Sequence, residues 1–194
     1  MPTSRLKRRR SRRLGGAAAA ASVLALVLTG CVGAAEPTPT PTPTEAAPIF
    51  ASDEEALAAA EQAYAAQLVV VDELSHAGGV AIEKLEEVAT AEYAAGISAS
   101  LERLSASGMR TTGATTFDTV ELIEHFEADD VAHVSAYVCL DIGDTRVVDS
   151  SGADVTPPDR ILRAPLQVRF ESRFLGANQL LVAGTEPWSG DDFC

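Results

Sequence analysis

The 194-residue chain carries 15 Lys and Arg against 28 Asp and Glu, a formal net charge of −13. Residues 1–30 hold seven bases and no acid; residues 31–194 hold the other eight bases and all 28 acids, a net −20. That charge excludes electrostatic attraction to nucleic acid or anionic lipid, and the length allows one core, not two.

The basic stretch Arg5, Lys7, Arg8, Arg9, Arg10, Arg12 and Arg13 precedes an apolar run from Leu14 to Leu28, made mostly of Ala, Leu and Val. Fifteen residues are short for a membrane span of about 20 and fit the apolar region of a signal peptide. The run ends in Leu28-Thr29-Gly30-Cys31, which resembles the lipobox of bacterial lipoproteins. That resemblance implies cleavage between Gly30 and Cys31, a diacylglyceryl thioether with fatty acyl (palmitate-type) chains on Cys31, and a mature chain of 164 residues. Two acyl chains exceed the marginal membrane binding of one. Ser11-Arg12-Arg13-Leu14 resembles a twin-arginine signal, so folded and unfolded export both stay open.

With Cys31 lipidated, Cys139 and Cys194 are left as an even pair in a compartment that permits disulfides. Their bridge would close a loop of 55 residues, worth roughly 3–4 kcal/mol by chain entropy. Two buried thiols, or a reactive Cys194, are the alternatives.

Residues 31–48 begin at the lipidated cysteine and continue as a stalk in which Pro37, Pro39, Pro41 and Pro43 alternate with threonine. Alternating proline fixes φ and removes amide donors, which predicts an extended spacer of roughly 50 Å at ~3.1 Å per residue. Its threonines are open to O-linked sugar or bare.

Residues 49–194 are the expected folded domain. Ser52-Asp53-Glu54-Glu55 predicts a capping box. Behind it Leu57, Ala60, Tyr64, Leu68, Val71 and Leu74 recur at three or four residues, the face of an amphipathic helix that Gly78–Gly79 ends. Ile82, Leu85 and Val88 mark a short second helix. Thr90 can cap a third, carrying Tyr93, Ile97, Leu101 and Leu104 and stopping near Gly108. The period then changes to two. Strands are predicted over 116–127 and 131–141, the latter with Ala132, Val134, Ala136, Val138 and Leu140 inward and His133, Tyr137, Cys139 and Asp141 outward. Gly143–Asp144 suits a hairpin turn into a return strand at 146–149. Further strands are predicted at 166–174 and 180–186. Helices followed by antiparallel strands define an α+β class with helices packed on one sheet face.

This order resembles the NTF2-like (SnoaL-like) cone, N-terminal helices on a curved antiparallel sheet. The segments FASDEEALAAAEQAY (50–64), TAEY (90–93), TTGATTFDTVEL (111–122), DVTPPDR (154–160) and EPWSGDDFC (186–194) resemble a group of actinobacterial membrane lipoproteins. The resemblance implies fold and location. The wider superfamily holds isomerases, dehydratases and non-catalytic modules, so chemistry must come from the site.

An enzyme of that kind needs an acid–base pair inside the cone. The best local cluster is His133, Tyr137 and Asp141, yet it falls on the outward face, where a polar surface covered by the C-terminal segment is the plainer reading. Tyr64 and Tyr93 are expected in the core. His125, Glu127, Asp129, Asp130 and His133 gather near a turn, but their spacing fits no metal template, and no metal or cofactor is assigned. No phosphate-binding or nucleophile motif occurs. Trp188 is either a surface anchor or a seal on the domain. The expected role is therefore a membrane-anchored, non-catalytic module that binds a small apolar ligand or an envelope protein, with homodimerisation through the sheet open. A cofactor-independent isomerase or dehydratase, or a structural accessory subunit, are the alternatives.

Overall fold

A computed structural model describes residues 47–79 and 81–194. The signal segment, Cys31 and the Pro/Thr stretch lie outside the described residues. Helix α1 runs Asp53–His76 and α2 Ala91–Ala106, with the 3-10 helix Ile82–Glu87 between them. Strands follow: β1 Arg110–Thr112, β2 Thr116–Ala128, β3 Val131–Asp141, β4 Arg146–Val148, β5 Arg163–Ser172 and β6 Leu180–Pro187. The class is α+β, as expected. The main sheet is open and antiparallel in the order β2-β3-β5-β6, and β1 and β4 form a separate antiparallel pair.

Ser52 caps α1, its Oγ accepting from the Glu55 amide at 3.3 Å. The Glu55 carboxylate reaches back to the Ala51 amide at 2.9 Å, one residue outside the usual box. Both helices stop in the same way. Gly78 and Gly108 take φ of 83° and 71°, and the next amides, Gly79 and Met109, donate to Leu74 and Leu104 at 2.7 and 3.2 Å.

The buried stripe of α1 is narrower in side-chain size than expected. Ala56, Ala60, Ala63, Tyr64, Gln67, Leu74 and Ser75 are buried, whereas Leu57, Leu68 and Val71 are only half-buried. Alanines let the helix axis approach the sheet, and Tyr64 fills the space between them. The core so formed joins Phe50, Ala60 and Tyr64 to Val134, Val138, Val168, Phe170 and Val182. A second cluster, Leu74, Leu85, Ala89, Ala94 and Leu101, fastens α2 to α1. Asp72 ties α1 to the start of β2, accepting from the Thr115 amide and hydroxyl at 2.7 and 2.8 Å. At the other edge, residues 88–90 lie along β6 through Thr90 N–H to Val182 O and Val182 N–H to Val88 O.

The expected hairpin at Gly143–Asp144 is corrected. Strand β4 returns not to β3 but to β1, with Arg110 opposite Val148. The turn is a corner held by Arg160, whose guanidinium donates to the carbonyls of Ile142 and Thr145. The place beside β3 goes to β5, with Asp141 opposite Arg163 and His133 opposite Glu171. The tight hairpin of the sheet is instead Asp129–Asp130, between β2 and β3, both with positive φ of 52° and 60°.

Candidate functional site

Strand β3 presents its apolar residues to α1 as predicted: Ala132, Val134, Ala136 and Val138 are all buried. Its other face carries His133, Ser135, Tyr137, Cys139 and Asp141 in register with Glu171, Arg169, Gln167, Pro165 and Arg163 of β5.

His133, Tyr137 and Asp141 thus share one face but not one site. They sit four residues apart, about 13 Å at ~3.3 Å per residue, and each has its own partners. The His133 ring stacks on Phe126 with centroids 4.9 Å apart and faces Glu171 at 3.9 Å. Tyr137 lies under Trp188 and Phe193, with centroids 4.8 and 5.6 Å away. Asp141 Oδ2 accepts from Arg163 Nη1 at 2.8 Å. No substrate atom can touch all three, and the Gly143 amide, then Arg163, hold the Asp141 carboxyl below the usual range. The isomerase constellation is therefore not assembled by these residues.

Cys139 and Cys194 form a disulfide, with Cα atoms 5.4 Å apart. Cys139 is fully buried although its position in the strand alternation faces outward. The cover is the segment 188–194, which turns back over the outer sheet face. Trp188 N–H donates to Pro165 O at 2.9 Å, and its indole Nε1–H to Asp191 O at 3.2 Å. A Cβ on Gly190 would come within 2.4 Å of the indole, so only glycine lets the chain wrap the ring this closely. Trp188 is half-buried, a clamp on the outer face, not a seal at one end.

Arg163 is the residue that sequence reasoning missed. Its guanidinium reaches Asp118 Oδ1 and Asp141 Oδ2, both at 2.8 Å, and Cys139 Sγ at 3.0 Å. The partners lie 45, 22 and 24 residues away, so no local pattern marks them. Arg163, then Thr119, lowers the Asp118 carboxyl, and the two carboxylates raise Arg163 in return. A lowered folded-state pKa adds stability that is complete above the unfolded carboxylate value, about 3.9, and is lost as pH falls through the folded one. The melting-temperature advantage of wild type over Arg163→Gln is therefore expected to be constant between about pH 5 and 8 and to shrink below about pH 4. An advantage that grew on acidification would contradict this sign.

The two histidines of the acidic turn point to different partners. His125 Nε2 lies 3.0 Å from Asp53 Oδ1 at the start of α1, with its ring edge-on to Phe50; His133 turns to Phe126 and Glu171. Among the described residues no group of three or more His, Cys, Asp or Glu could hold a metal ion.

Inside the domain, Tyr64, Phe170, Val134, Val138, Val168 and Val182 are all buried and fill the space between α1 and the sheet. The polar groups there are few. Tyr93 shares a 2.8 Å hydrogen bond with Thr185, and Gln67 Oε1 is buried without a partner among the described residues. Open space lies outside α1: a groove of about 560 Å³ between Ala58, Ala59 and Gln62 on one side and Arg173, Asn178 and Gln179 on the other. Among the described residues no helix is long and apolar enough to cross a membrane.

No protein-family model matches the chain, and no curated protein matches it. Among solved structures the domain is similar to the intermembrane-space region of the chloroplast protein ARC6, with 14% identity and a TM-score of 0.48. The match covers 69% of this chain and 97% of that one.

Proposed function

We propose that the chain is an extracytoplasmic lipoprotein whose folded domain is a non-catalytic module for contacts with an envelope protein. The observation that carries the non-catalytic part is the filled interior: apolar side chains occupy the volume in which a cone enzyme keeps its acid–base pair. The anchor is supported by the cysteine pairing. Cys139 and Cys194 take each other, which leaves Cys31 of Leu28-Thr29-Gly30-Cys31 as the one remaining thiol. A second reading, a small-molecule binder, is favoured by the groove beside α1, whose size lies within the range of roughly 300–1,000 Å³ that holds small ligands.

Cys31→Ala tests the anchor. The variant is expected in the medium or as a precursor that keeps residues 1–30; a processed chain that still sediments with membranes would overturn the lipid reading. The substitution leaves the folded domain, residues 49–194, unchanged in sequence.

A further inference from the structure

We propose that the Cys139–Cys194 bridge is an exchangeable latch, and that an extracytoplasmic dithiol opens it to release segment 188–194 and uncover Tyr137. The inference stands on the sheet geometry and takes from the proposed function its extracytoplasmic location, not the lipid anchor.

The two sulfurs sit in different surroundings. Cys139 is fully buried in the central strand β3, and Cys194 belongs to an exposed segment. An incoming thiolate can therefore approach Cys194 Sγ far more readily than Cys139 Sγ. The leaving group is then Cys139, and Arg163 Nη2 already lies 3.0 Å from its sulfur as a cationic donor. A guanidinium so placed stabilises the departing thiolate, and a better leaving thiolate speeds exchange.

The step balances. The attacking thiolate forms a bond to Cys194 Sγ as the Cys139–Cys194 bond breaks, and its electron pair stays on Cys139. The second thiol of the dithiol then attacks the mixed disulfide and releases Cys194 as a thiolate, which takes up a proton. Two electrons pass from the dithiol, which becomes a disulfide, to the protein, which gains two thiols.

Opening is local by construction. Among the described residues, the one hydrogen bond from segment 188–194 to the rest of the domain is Trp188 N–H to Pro165 O. The rings of Trp188 and Phe193 also rest on Tyr137. Strand β3 keeps both of its neighbours, β2 and β5, whether or not the latch is shut. What reduction exposes is the outer-face patch at Tyr137, on which the latched segment lays the rings of Trp188 and Phe193.

Trp188 is the chain's one tryptophan and reports the movement directly. The full domain is treated with dithiothreitol under native conditions, and separately with glutathione followed by acid trapping and peptide mass spectrometry. Expected results are a red shift of Trp188 emission with unchanged far-ultraviolet circular dichroism, and glutathione on Cys194 but not Cys139. Arg163→Gln is expected to slow exchange by roughly three- to tenfold. If that variant fails to fold, Cys139→Ala/Cys194→Ala serves instead, and its emission must match reduced wild type. Reduction that occurs only with loss of the circular dichroism signal, glutathione on Cys139, or emission that stays put on reduction would each overturn the latch.

Discussion

Tyr64→Ala is expected to destabilise the domain by about 3–5 kcal/mol, the cost of deleting a buried aromatic ring with little collapse of the cavity. Tyr64 is 2% exposed and stands where α1 meets the sheet. Its ring makes edge contacts with Phe117 and Phe170, at centroid distances of 5.1 and 6.5 Å. The neighbours cannot close the gap: alanines flank it on the helix, and β3 and β5 are pinned by their hydrogen-bond ladders. Burial pushes the hydroxyl's pKa well above the ordinary tyrosine value, so the ring stays neutral throughout the working range. Urea denaturation measures the effect, with Tyr64→Phe as the control that keeps the ring and loses about 1 kcal/mol or less. A loss below about 1 kcal/mol for Tyr64→Ala would mean that α1 is not packed on the sheet as described.

Cys194→Ser is expected to cost roughly 3–4 kcal/mol, because the closed loop spans 55 residues and its loss enlarges the unfolded ensemble. For a domain of this size that is on the order of 10 °C in melting temperature. The variant leaves Cys139 as a buried thiol, which packs as a small apolar group, so the native sheet survives. The comparison is made by thermal scans of wild type and variant without reductant. Coincident curves would show that the bridge does not constrain the unfolded chain. The loss and the latch are compatible. A single domain holds about 5–15 kcal/mol of stability, so the reduced protein remains folded while segment 188–194 is free.

Much of the fold was legible because its periods are clean. The sequence of strand β3 alternates without a break from Val131 to Asp141, and the structure follows it as far as Val138, where the buried Cys139 interrupts it. The helix stops were legible because glycine follows each helix where a left-handed residue is required. The return strand failed for a physical reason. Gly143–Asp144 has hairpin composition, but the carbonyls on either side are taken by Arg160, fifteen or more residues downstream, which turns the chain away. The turn between the strands predicted at 116–127 and 131–141 was legible, but not its backbone, because Asp129 and Asp130 adopt positive φ there without a glycine. The outer-face placement of His133, Tyr137 and Asp141 followed from alternation alone. The burial of Cys139 and the fork at Arg163 did not, because they depend on a segment and on partners far away in sequence. The signal and stalk readings rest on sequence alone.

The proposed function stands on the chain being processed and lipidated at Cys31, so its most direct test is the intact mass and N-terminal peptide of the protein extracted with mild detergent from the cells that make it. The account predicts a chain that begins at Cys31, carries a diacylglyceryl group on that residue and holds Cys139 joined to Cys194. A chain that retains residues 1–30, or that begins elsewhere with Cys31 unmodified, would contradict it.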